Sequence, residues 1–183
     1  MKFIQHDDEF VLVPQHISIY GVYSGHIIWV AILYSFYDNY TSLGYMLFLL
    51  YITTILNWYK IYHKGIIKNI DICLVLCVLL KVSLHDSLRW GANRYIWFYS
   101  IFIIISIFII NQFIFYNKIY NKKSILYCPV NTMSRENAYY INAFIHIFFI
   151  HFLLNFIGGY CAVMVYYTNP LENKNDYGRN LIF

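Results

Sequence analysis

Long apolar runs alternate with short polar stretches along the whole chain. The runs cover residues 17–37, 43–58, 70–84, 95–116 and 139–167. Crossing a bilayer takes about 20 predominantly apolar residues. The first, fourth and fifth runs have that length. The third is short and contains Lys81, so it spans only if that side chain snorkels and neighbouring helices shelter its ends. The pattern predicts an all-α, polytopic transmembrane bundle of about five helices. It forms one domain over residues 1–183, ending in a polar tail at 171–183. In the first run, Gly21 and Gly25 form a small-xxx-small pair that lets another helix approach closely. His26 follows directly and is expected to be buried. Ser134, Glu136 and Asn137 precede the last run, with Asn137 a candidate N-cap.

Composition strengthens the membrane reading. The chain is 60% hydrophobic and 12% charged, with mean hydropathy +0.52. A soluble domain carries about 25% charged residues. The net charge of +4 reflects topology rather than nucleic-acid binding. Lys60, Lys64 and Lys68 lie between the second and third runs, and Lys118, Lys122, Lys123 and Arg135 between the fourth and fifth. In a five-span chain both stretches fall on one side. The positive-inside rule then places the N-terminus on the cytoplasmic or inner side. The expected partners are the lipid bilayer and other membrane protein subunits. No secretory signal is evident, because residues 1–13 lack a basic segment before an apolar core. Cys73, Cys77, Cys128 and Cys161 read as buried free thiols. Abundant Ile, Tyr, Phe, Asn and Lys fit the bias of an AT-rich genome, as in a large DNA virus, a protist or an organelle.

Polar residues within the runs are the candidates for chemistry, since intramembrane polar groups are costly and face the bundle interior. They are His26, Asn57, Asp71, Asn142, His146, His151 and Asn155. On an α-helix His146 and His151, five residues apart, differ by about 140°. They are therefore not expected to share one narrow face. Asn142–His146 and His151–Asn155 form two polar edges of one broad face. One reading is a metal or proton site with His26, His146 and His151 as ligands and Asp71 as ligand or base, since imidazole is a common metal ligand and zinc generates a nucleophile from water. The other is interhelical hydrogen bonding by Asn57, Asn142, Asn155 and the same histidines. A haem site would need axial histidines on different helices, such as His26 and His151. Asp86 and Arg89, three apart, are expected to pair on a solvated helix end. No P-loop, GxSxG, CxxC or HExxH motif occurs in the sequence.

Three resemblances follow from these residues. Residues 53–71, with Trp58, Gly65, Lys68 and Asp71, and then His146, His151 and Asn155, resemble multi-pass membrane proteins of large DNA viruses and protists. Lys60 and Ile61 depart from that pattern, and the resemblance implies no activity. Thr53 or Thr54, Asp71, His146 and His151 are also similar to the site of the CREST membrane hydrolases, which include alkaline ceramidases and the progestin and adipoQ receptors. That similarity implies a zinc hydrolase. The departures are the small number of helices, Asn57 where a histidine is expected, and the five-residue histidine spacing. Residues 14–20 resemble the entry segment of a succinate dehydrogenase membrane anchor, which would imply haem, but the later haem-anchor pattern does not follow. Together the residues lead to a structural or interaction protein of a viral, protist or organellar membrane, with a metal-dependent membrane hydrolase and a haem-binding respiratory anchor as alternatives.

Overall fold

The structure is a computed structural model that describes residues 15–59, 65–119 and 133–168. Among these, α1 (Gln15–Gly25) and α2 (Ile28–Tyr37) form one rod broken at His26–Ile27. Next come α3 (Thr41–Tyr59), α4 (Ile66–Leu84), a 3-10 turn (Asp86–Arg89) and α5 (Asn93–Ile119). The last rod is continuous: α6 (Arg135–Ile145), a π-helical segment (His146–His151) and α7 (Phe152–Thr168). Five rods result, as the apolar runs predict. Each begins two to four residues earlier than its apolar run. Thr41, Asn93 and Arg135 join their helices although they are polar. Ser134 is the N-cap of the last rod, its hydroxyl accepting from the Asn137 amide at 3.1 Å; Asn137 is the residue being capped.

Four of the rods are long and apolar enough to cross a membrane: Gln15–Tyr37, Thr41–Tyr59, Asn93–Phe115 and Asn137–Thr168. The chain is an all-helical bundle of the integral-membrane type. The remaining rod, α4, carries Lys68, Asp71 and Lys81, yet it runs the full length of the bundle. At one end Leu43, Trp90, Trp97 and Val165 share a cluster, and Asn93 Nδ2 donates to Thr168 Oγ1 at 3.2 Å. The start of α3, the start of α5 and the end of α7 therefore lie together. At the other end, Trp58 of α3 packs with Ile17 and Ala143. The chain leaves α3 at that end and enters α5 at the opposite one, so α4 carries it across. With 19 residues it is about 28 Å long, near the thickness of a hydrocarbon core.

The rods neighbour one another in a simple series. The α1–α2 rod packs on α3 and on α7, α3 packs on α4, and α5 packs on the last rod. α5 meets α4 mainly where they join, through the 3-10 turn and a 3.0 Å bond from Trp97 Nε1 to Ser83 Oγ. Outward positions are apolar or aromatic: Leu33, Phe102, Ile109 and Phe113 are all at least half exposed, as suits a surface solvated by acyl chains.

Several expectations for the periphery are corrected. Asp86 does not pair with Arg89 and is not solvated. It is 1% exposed and binds Lys81 Nζ at 3.1 Å and His85 Nδ1 at 2.8 Å. The 3-10 turn folds it back onto the end of α4. Cys73 and Cys77 are exposed and only Cys161 is buried, because α4 turns just one face to α3. Cys128, the lysines at 60, 64, 122 and 123, residues 1–13 and the tail at 171–183 lie outside the described residues.

Candidate functional site

The polar residues picked out in the sequence fall into separate groups rather than one. The first joins α3 to α4. Asp71 is 3% exposed. Its Oδ1 accepts from Thr54 Oγ1 at 2.8 Å and Thr53 Oγ1 at 3.1 Å, and its Oδ2 from Asn57 Nδ2 at 3.0 Å. Thr53, Thr54 and Asn57 sit on one stripe of α3 because residues three and four apart share a helix face. The ion pairs of Asp86 lie elsewhere. The carboxylate of Asp71 is thus satisfied by three neutral donors, which is how a buried polar group avoids an unpaired desolvation cost.

The second group joins α1, α3 and the last rod around His151. Trp58 Nε1 donates to His151 Nε2 at 2.9 Å. An indole N–H can only donate, so Nε2 supplies the lone pair and the ring proton sits on Nδ1. That proton points to Ser24 Oγ at 3.4 Å, and Ser24 in turn donates to the Gly21 carbonyl at 3.0 Å. The chain of bonds runs one way and fits this tautomer. Asn155 Nδ2 donates to the Ser24 carbonyl at 2.9 Å. The glycine pair predicted from the sequence makes the approach possible. A Cβ on Gly21 would fall inside the Trp58 indole, and one on Gly25 would come within 3.1 Å of Ile55 and 3.2 Å of Thr54.

His146 and His151 do share a face, which corrects the α-helical expectation. The segment between them is π-helical, with bonds from i to i+5, so residues five apart stack. Their ring centroids are 5.9 Å apart. His146 also lies against Trp58 at 5.7 Å and Phe108 at 6.0 Å. Trp58, which enters the sequence reading only as part of a resemblance and not as a site residue, is the hub of this group. A donor-only indole four residues after Thr54 was the signal available. Removing Phe149, which is 49% exposed, should turn the wide turn into ordinary α-helix, because a π turn is one residue inserted in an α ladder. His146 and His151 then stand four apart on the same face. The deletion is expected to shift thermal stability by less than about 1 kcal/mol. A large loss of melting temperature in detergent would show that the wide turn itself is required.

The other candidates lie apart from this pair. His26 is exposed, not buried. The break at His26–Ile27, where the amides bond three residues back, turns it outward to meet Tyr51 Oη at 3.1 Å. Asn142 meets α5 through its backbone, its carbonyl accepting from Asn111 Nδ2 at 3.2 Å. No three His, Cys, Asp or Glu side chains among the described residues are grouped to hold a metal. Both nitrogens of His151 are engaged, so the set His26, His146, His151 and Asp71 does not fit a three-ligand zinc. His26 and His151 do not fit as haem axial ligands for the same reason. What the arrangement does chemically is lock rods together. Comparison with known proteins adds nothing to this geometry: no protein family, curated protein or solved structure matches the chain.

Proposed function

We propose that this chain is a small multi-pass integral membrane protein with a structural or interaction role in a viral, protist or organellar membrane. Its partners are the bilayer and other membrane protein subunits. The observation that carries the reading is the use of the interior polar groups: Asp71, His151 and Asn155 are spent on bonds between rods rather than aimed at an open site. The N-terminal end is assigned to the cytoplasmic or inner side, supported by Lys68 and Arg135 at the starts of α4 and α6.

A metal-dependent hydrolase is the second reading. One observation favours it: the π segment brings His146 and His151 together despite their spacing. His146 makes ring contacts there with Trp58 and Phe108. Metal analysis of detergent-purified protein separates the readings. The structural reading expects far less than one metal ion per chain, and a loss of stability in His151→Ala. Stoichiometric zinc that vanishes in a His146→Ala, His151→Ala double variant would overturn it.

A further inference from the structure

The bundle holds a partly open cavity of about 70 Å³. It begins at Asn155 and Gly158 in mid-bundle and reaches Asp38, Tyr40 and Trp90 at the end where α2 meets α3. Between these limits its walls are aliphatic and aromatic, including Leu47 of α3, Val78 of α4 and Trp97 of α5. Gly158 keeps the inner end open, since a Cβ there would meet nothing within 4 Å. Apart from Asn155 at the inner end, the polar lining gathers at the outer end with Ser35, Asp38 and Tyr40. Burial pushes the Tyr40 phenol up to about 12, so it remains a neutral donor.

Two features decide the occupant. The first is orientation. A lipid places its head at the membrane face and its chain toward the midplane, and the cavity has its polar lining at one end of the bundle and most of its apolar length below. The second is the seam beside it. α4 and α5 both line the cavity, yet they are joined chiefly at the 3-10 turn and Trp97, so an acyl chain can enter from the side. We propose that this cavity takes one alkyl chain of a membrane lipid, inserted between α4 and α5. An engineered apolar cavity of about 150 Å³ binds benzene. This one is about half as large, so it holds only a few methylene groups of the chain, and the rest of the chain lies in the seam between α4 and α5.

Trp90 and Trp97 line the site, so their emission reports its filling. The test uses purified full-length protein in maltoside micelles. A Trp29→Phe background removes the indole most open to detergent. The probe is 9,10-dibromostearate, whose bromines quench indole emission and are about the size of methyl groups, with oleate as competitor. The expected result is a saturable quench that oleate displaces, with a midpoint raised at least tenfold by Gly158→Leu, which fills the inner end. Ala162→Leu, also in the lining, serves as a second filling variant. A quench that rises linearly with probe and ignores oleate overturns the proposal. So does a saturable quench left unmoved by both filling variants.

Discussion

Gly21→Ala should destabilise the bundle by about 2–4 kcal/mol. In an ordinary helix interior the same change gains about 0.5–1 kcal/mol, because alanine loses less conformational entropy than glycine. The sign reverses here because the new methyl would occupy the space of the Trp58 indole. The indole has no free direction. It is 5% exposed, packed among Ile17, Ala143 and Ile147, and tied to His151 by its N–H. Moving it costs about 1–3 kcal/mol of overpacking strain and about 1 kcal/mol for the lost bond. At about 2–4 °C per kcal/mol for a chain of this size, the melting temperature should fall by roughly 4–16 °C. Two controls fix the cause. Gly158→Ala, with open space around it, should be neutral or stabilising. Trp58→Leu should make a later Gly21→Ala nearly harmless, so the two changes will not add. Additive losses would show that the indole and the glycine do not meet.

Asp71→Ala is expected to cost about 2–4 kcal/mol, and Asp71→Asn about 1 kcal/mol or less. Alanine leaves Thr53, Thr54 and Asn57 without their shared acceptor, and a buried group deprived of its partner costs about 1–3 kcal/mol. The loss is less than three times that figure. Thr53 already lies 3.0 Å from the Leu50 carbonyl, so one hydroxyl has a local alternative, and measured interhelical bonds in membranes average below about 1 kcal/mol. Asparagine keeps an oxygen for the two threonines. Its amide then faces Asn57, whose side chain can turn its oxygen inward. Melting in detergent of the three proteins gives the order: native, then Asn, then Ala. An alanine variant as stable as the native chain would mean that this carboxylate does not hold α4 against α3.

The number of rods and the contact at Gly21 and Gly25 could be read from the sequence, because both follow from local pattern: run length in one case, residue size and spacing in the other. The two helix irregularities could not. The break at His26–Ile27 lies next to Ser24, whose carbonyl accepts from Asn155 on the last rod. That partner is more than a hundred residues away and leaves no local mark. The π turn at His146–His151 has the composition of any apolar helix, so a wheel drawn at 3.6 residues per turn separates two histidines that in fact stack. Asp71 is legible as a polar candidate within an apolar run. Its role as an acceptor for Thr53, Thr54 and Asn57 depends on the antiparallel register of α3 and α4, which periodicity does not supply. Asp86 and Arg89 do not pair for a related reason: α-helical spacing does not apply where the chain makes a 3-10 turn.

The lengthwise run of α4 has a consequence for anything that recognises this protein from outside the bilayer. The end of α3 at Tyr59 and the turn around Asp86–Gly91 lie at opposite ends of the bundle, with α4 between them. Once the rods are threaded through a membrane, a soluble visitor confined to one compartment meets one of these ends and never the other.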